Sequence, residues 1–104
     1  MAKTQYSIQI TFKKAVAKAD ELETVAKAVE KQKERLEECQ RSLAEKWKGT
    51  NAAAYCSKLG ARVQELAGIA RDLRATSAAI NDIAETTYKA DKRAVELAKA
   101  RGRK

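Results

Sequence analysis

The sequence predicts an all-α fold, namely an antiparallel two-helix hairpin, and three observations support this prediction. The 104 residues contain no proline and only four glycines, and Ala, Lys, Glu, Leu and Arg dominate, as in long helices. Apolar residues recur at alternating steps of three and four residues in both halves of the chain. Gly49, the only glycine among the first 59 residues, lies between these halves.

The first element is predicted to be a short extended lead-in, because apolar residues from Tyr6 to Phe12 alternate with polar ones. Thr11 is the expected N-cap of the helix that follows. This helix is expected over about residues 12–47. The residues predicted to face the second helix, which we call its seam, are Leu22, Val25, Val29, Gln32, Leu36, Cys39 and Leu43.

A turn is predicted over residues 48–51, with Gly49 in the left-handed conformation that ends many helices. Thr50 or Asn51 is expected to cap the second helix. This helix is expected from about residue 51 to about residue 100, followed by a basic C-terminal tail. Its predicted seam is Cys56, Leu59, Val63, Leu66, Ala70, Leu73, Ser77, Ile80 and Ala84.

A single helical-hairpin domain over residues 1–104 is expected, because two long helices with so short a connection fold back antiparallel. The second helix carries more apolar residues than one contact requires. The surplus residues are Tyr55, Ile69, Ile83, Val95 and Leu97. We therefore expect two hairpins to pair as a four-helix bundle, which covers the apolar surface that one hairpin leaves exposed.

The net charge of +8 is concentrated at the two ends of the chain. Residues 15–86 contain twelve basic and twelve acidic side chains. The tail from Thr87 onward is expected to project past the first helix and to form a positive tip. Nucleic acid or anionic lipid are possible partners of such a tip, and a solvated helix end is the simpler interpretation. No helix-turn-helix spacing, aromatic stacking set or zinc motif accompanies the charge, which disfavours nucleic acid.

The sequence does not indicate an enzyme. It contains no histidine, no glycine-rich phosphate loop and no nucleophile elbow. No cofactor is expected, and two thiols without histidine cannot complete a four-ligand metal site. No apolar run is long enough to span a membrane, and the N-terminus lacks the pattern of a cleaved signal peptide.

The two cysteines, Cys39 and Cys56, have two interpretations. They lie on the predicted seams at nearly equal distances from the turn, so a disulfide across the hairpin is conceivable. Alternatively, both are small apolar fillers with free thiols.

The tripeptide Trp47-Lys48-Gly49 stands near the middle of the chain, between the two predicted helices. With the lead-in SIQITF, and with Ala53 and Tyr55 after the turn, the chain resembles the WXG100 (ESAT-6-like) family over nearly its whole length, and in particular its Gram-positive branch. The resemblance implies that Trp47 and Gly49 form the turn motif. Trp47 is expected to pack at the turn and to contact a partner chain.

This resemblance implies a small protein secreted, without a cleaved signal peptide, by a type VII secretion system, as a dimeric effector or export partner. The partner would be a second copy or another chain of the family. The family's export signal is a tyrosine followed four residues later by an acid; here Tyr88 precedes Asp91 by three residues. These two residues are the expected contact with the translocase ATPase.

Two alternatives remain open at this stage. The chain can be an adaptor that targets a larger type VII substrate, or a basic helical protein that binds nucleic acid. No small-molecule substrate is expected.

Overall fold

A computed structural model describes residues 4–102 and confirms the all-α hairpin. Helix α1 covers Gln5–Lys46 and helix α2 covers Thr50–Gly102, and there is no strand between residues 4 and 102. Lys3, Arg103 and Lys104, which belong to the predicted basic ends, lie outside the described residues.

Helix α1 begins at Gln5, so the predicted extended lead-in is wrong. Thr4 caps the helix, because the Ser7 amide donates to Thr4 Oγ1 and the Thr4 amide donates to Ser7 Oγ, each at 3.0 Å. These reciprocal bonds satisfy amides that the first helical turn would otherwise leave without a partner. Thr11, the predicted N-cap, lies inside the helix, where its hydroxyl donates to the Ser7 carbonyl at 2.9 Å.

The connection between the helices consists of residues 47–49, slightly earlier than the predicted 48–51. Gly49 has a φ of 116°, which confirms the predicted left-handed conformation. Its carbonyl accepts a hydrogen bond from the Ala53 amide at 3.1 Å, the first helical bond of α2. Lys48 Nζ donates to the Ala44 carbonyl at 3.2 Å, so the side chain stabilises the end of α1.

The chain divides into two compact units, each containing one antiparallel segment of each helix. The turn unit is Glu23–Arg74, and the terminal unit consists of residues 4–22 and 75–102. The fully or nearly buried apolar residues are mostly small. They are Ala26, Ala52, Val63 and Ala70 in the turn unit and Ile8, Ala19 and Ala84 in the terminal unit. Small residues let two helix backbones approach closely, but they bury little apolar area.

Two polar contacts fix the register of the helices within these units. In the terminal unit, Ser77 is 1% exposed and its Oγ donates to the Ala19 carbonyl at 2.8 Å. In the turn unit, Gln40 Nε2 donates to the Cys56 carbonyl at 3.0 Å. In each contact the two residue numbers add to the same value, so the residues of α1 and α2 are paired in the same register inside each unit.

All nine residues of the predicted α2 seam are buried or half-buried. The predicted α1 seam is wrong at alternate positions. Leu22, Val29, Leu36 and Leu43 are half-buried, but Val25, Gln32 and Cys39 are exposed. The residues directly after these three, Ala26, Lys33 and Gln40, face α2 instead. Ala26 is fully buried, and the smaller side chain allows the closer approach of the two helices.

The tail from Thr87 onward was predicted to project past the first helix. In the structure it instead packs against the start of α1. Tyr88 meets Phe12 edge to face, with ring centroids 4.8 Å apart. Asp91 and Val95 are also half-buried, so the α2 seam continues beyond Tyr88. Because α1 begins at Gln5, its first turns cover this part of α2.

Candidate interaction site

The turn unit presents two different edges beside its seam. In heptad terms, Ala26, Lys33, Gln40, Cys56, Val63 and Ala70 occupy one set of seam positions, the a positions. The residues four places after an a position lie along one edge of the helix pair. The residues directly before an a position lie along the other edge. Successive side chains around a helix are rotated by 100°, so these two sets lie on opposite sides of the a positions.

The first of these edges, which we call the bridged edge, is closed by an ion triad. Arg74 Nη1 contacts Glu23 Oε2 at 3.0 Å, and Arg74 Nη2 contacts Glu30 Oε1. Glu23 belongs to the start of the turn unit on α1 and Arg74 to its end on α2, so the triad joins the two helices. The side chains are 38–42% exposed, so the contact adds orientation more than stability.

The electrostatics of the triad favour the charged arginine. The hydrogen bond to Glu30 and the charge of Glu30 raise the pKa of Arg74 above its usual value, and the charge of Glu23 adds to this effect. Arg74 therefore remains a cation over the whole physiological pH range. The bridged edge carries a fixed ionic contact at any pH at which the glutamates are ionised.

The second edge, which we call the open edge, is largely apolar and has no covering element in its unit. It is formed by Val25, Gln32 and Cys39 of α1 and by Tyr55, Arg62 and Ile69 of α2. Val25, Tyr55 and Ile69 are 48%, 51% and 49% exposed. Half-buried leucines of the seam, such as Leu36 and Leu66, adjoin them. Val25 and Ile69 lie towards one end of this edge and Tyr55 towards the other, with Arg62 between them on α2. Exposed apolar residues gathered on one side of a helix pair are typical of interaction surfaces.

The predicted turn motif lies at the end of the same unit. Trp47 is 43% exposed, and its ring lies 6.2 Å from the ring of Tyr55 at an interplanar angle of 52°. The prediction that Trp47 packs at the turn agrees with this contact. The contact also leaves part of both rings open to a partner.

The two cysteines do not meet in the structure, and both thiols are free. Cys39 is exposed on the open edge, whereas Cys56 is half-buried in the seam and its Sγ lies 3.8 Å from the Gln40 carbonyl. Of the two interpretations, the disulfide does not fit this geometry, because Gln40 and not Cys39 lies opposite Cys56.

The terminal unit contains an apolar groove of about 230 Å³ between its two helix segments. It is lined by residues of both helices, namely Ile8, Thr11, Phe12, Ala15, Ile80, Ile83, Ala84, Thr87, Tyr88 and Asp91. Ile83, on the outer wall, is 66% exposed. The groove exists because Ala15 and Ala84 are small while the flanking residues are large.

Tyr88 and Asp91, the predicted export signal, both line this groove. They are half-buried and one helical turn apart on α2. Both residues therefore face the same side of α2, but they do so from a packed helix and not from a free tail.

Sequence reasoning missed Ile8, Phe12 and Ala15 as packing residues because the lead-in was interpreted as extended. A signal for the helix was present, since Ile8, Phe12, Ala15, Ala19 and Leu22 continue the steps of four and three residues. The triad of Arg74 was also missed. Its partners can be identified only once the register of the two helices is known.

Between residues 4 and 102, no group of acidic or cysteine side chains is arranged to hold a metal ion. Within the same range, no helix combines the length and apolarity needed to cross a membrane. Comparison of the chain with protein-family models, curated proteins and solved structures gave no match. The open edge of the turn unit and the groove of the terminal unit are therefore the features of the chain that bear on its function.

Proposed function

We propose that this protein is a WXG100-like substrate of a type VII secretion system, which pairs with a second copy through its open edge and is exported as a folded dimer. The open edge is the observation that carries the proposal. A hairpin whose buried residues are mainly alanines, and whose leucines remain half-exposed, gains more from a partner than from its own packing.

The asymmetry of the two edges supports pairing on one side of the turn unit. The bridged edge presents carboxylates and a guanidinium, whose desolvation by a partner would be unfavourable. The open edge presents Val25, Tyr55 and Ile69, whose burial is favourable. A second copy offers an identical apolar surface, as a two-fold symmetric interface requires.

The export part of the proposal is supported by three features of the chain. Trp47 and Gly49 form the turn of a proline-free hairpin, as the resemblance implies. Tyr88 and Asp91 lie on the same side of α2. A translocase that recognises them can bind the folded helix without unfolding the core. In this proposal the protein acts outside the cell, as an effector or export partner.

The dimer is tested by light scattering of the purified chain and of Ile69→Glu. We expect the parent chain to be a dimer and the variant to be a monomer, because the substitution places a charge on an apolar part of the open edge. Gln64→Glu adds the same charge at an exposed position that belongs to neither edge and should leave the dimer intact. A parent chain that is monomeric at high concentration would contradict the homodimer and favour the adaptor.

Export is tested by secretion of the tagged chain from a bacterium with a type VII system and from its translocase-deficient derivative. We expect secretion only from the first strain, and we expect Tyr88→Ala to abolish it. Tyr88→Phe keeps the ring contact with Phe12 and separates loss of the hydroxyl from loss of packing. Tyr6→Ala removes a tyrosine that is 73% exposed and serves as the control. Equal secretion from both strains would refute the export proposal.

A further inference from the structure

We propose that the start of α1, residues 5–12, is a releasable cover over Tyr88, and that the translocase binds the chain while this cover is open. The inference rests on the proposed function, in which Tyr88 contacts the translocase, and adds how access to that contact is controlled. It is supported by the packing of Tyr88, by the weak helix propensity of the cover and by a second pattern in its sequence.

The cover holds Tyr88 in a packed position. The ring of Phe12 meets the ring of Tyr88 edge to face, with centroids 4.8 Å apart. The residue numbers of Ile8 and Tyr88 add to the same value as those of Ala19 and Ser77, so Ile8 lies opposite Tyr88 in the register of the terminal unit. Ile8 is only 3% exposed. A protein that binds the side of the Tyr88 ring occupied by Phe12 therefore has to displace the cover.

The cover has weak helix propensity. Six of its eight residues are aromatic, β-branched or serine, and such residues favour a helix less than Ala, Leu, Lys or Glu. The first turn contains no acidic residue that would interact favourably with the helix dipole. The cap formed by Thr4 and Ser7 joins residues of the same turn and does not attach the cover to α2. Release of a helix end of this kind costs less than global unfolding.

The sequence of the cover fits two conformations. In the helix, Ile8, Phe12 and Ala15 line the groove beside α2 at steps of four and three residues. Tyr6, Ile8, Ile10 and Phe12 also alternate with polar residues, which is typical of an extended segment. A segment whose local pattern conflicts with its packed conformation is expected where a protein has a functional site. The released cover is therefore an extended segment.

Helix α2 stays folded when the cover opens, because its own sequence favours a helix around Tyr88. Seven of the eleven residues 84–94 are Ala, Glu, Lys or Arg, which are strong helix formers. The hydrogen bond of Ser77 with the Ala19 carbonyl holds the two helices together beyond the cover. In the open state, Tyr88 and Asp91 lie one turn apart on a helical face that the cover has left.

Opening is measured by thiol labelling of an Ile8→Cys chain with a maleimide that is larger than the groove. A thiol at this position, where the native side chain is 3% exposed, reacts when the cover leaves α2. Peptide mass spectrometry distinguishes it from Cys39 and Cys56. Gln9→Gly and Gln9→Ala are compared in this background, because Gln9 is exposed and the pair differs in helix propensity. We expect labelling to be about fivefold faster with glycine than with alanine.

The matched control is the same pair of substitutions in the turn unit. Gln64→Gly and Gln64→Ala change helix propensity at an exposed position there, and we expect them to be labelled at equal rates. Equal glycine-to-alanine ratios at Gln9 and Gln64 would overturn the inference, because the thiol would then react without local opening of the cover. Circular dichroism establishes that each variant remains helical.

Secretion of the Gln9 pair, in chains that keep Ile8, tests whether opening controls export. We expect Gln9→Gly to be secreted faster than Gln9→Ala, by up to about fivefold, because the translocase binds the open population. The Gln64 pair should be secreted at equal rates. Translocase-dependent secretion that is equal for the Gln9 pair, or slower with glycine, would overturn the inference alone. Equal secretion of every variant with and without the translocase would instead refute the proposed function, and the role of the cover with it.

Discussion

Gly49 is the residue whose backbone determines the hairpin connection. Its φ of 116° is strained for any residue with a Cβ, although a Cβ at this position would meet no atom within 4 Å. We therefore expect Gly49→Ala to lower the free energy of unfolding by about 1–2 kcal/mol through backbone strain alone. Urea unfolding measures this change. Gly102→Ala is the control, because a Cβ there is equally unobstructed and the φ is not positive; equal destabilisation by both would contradict the explanation.

Ser77 shows how tightly the two helices of the terminal unit approach each other. Ser77→Ala removes the hydrogen bond to the Ala19 carbonyl and should cost about 1 kcal/mol. Ser77→Leu inserts a larger side chain where Ser77 is 1% exposed, and we expect a greater loss, about 1–3 kcal/mol, from overpacking. Thermal unfolding gives the ranking. Ala78→Leu, at the exposed neighbouring position, should be tolerated, and a loss as large as that of Ser77→Leu would refute close approach at Ser77.

The first helix is stabilised at its start by the pair of Thr4 and Ser7. We expect Thr4→Ala to cost about 1 kcal/mol and to increase amide exchange in the first turns of α1, because the Ser7 amide loses its acceptor. Thr11→Ala should have little effect or stabilise slightly, since Thr11 lies inside the helix and Ala has the higher helix propensity. Hydrogen exchange followed by mass spectrometry distinguishes the two. The opposite ranking would place the N-cap at Thr11.

Helix α2 was predictable because a single line of mostly apolar residues, from Cys56 to Ala84, satisfies the heptad spacing and also faces α1. In α1, two different sets of residues satisfy the heptad spacing. Both sets contain Leu22, Val29, Leu36 and Leu43, but one continues with Val25 and the other with Ala26. The more hydrophobic line was chosen from the sequence. Ala26, the smaller residue, faces α2 because the two helix backbones approach closely there. The distance between the backbones depends on the residues of both helices.

The candidate surfaces were predictable only in part, for the same physical reason. The surplus of apolar residues on α2 indicated an exposed surface, and Ile69, Ile83 and Tyr55 are indeed exposed. The groove and the triad of Arg74 require residues from both helices in a defined register. Neighbouring positions in one chain do not determine that register. Polar contacts such as that of Gln40 with the Cys56 carbonyl do.

At the scale of the whole molecule, the net charge of +8 opposes the pairing of two identical chains. Burial of the open edge must exceed this repulsion for a dimer to form. Salt screens this repulsion, so dimerisation should depend on the salt concentration.

We therefore expect the homodimer to become tighter when salt is raised from about 0.05 M to about 0.5 M. Screening lowers the repulsion between two cationic chains and leaves the burial of Val25, Tyr55 and Ile69 favourable. Sedimentation equilibrium in both buffers measures the dimer. A dimer that dissociates as salt rises would mean that ion pairs hold it together and that the apolar open edge does not. In that case Ile69→Glu would not disrupt the interface, and the bridged edge with Arg74 would become the surface to examine.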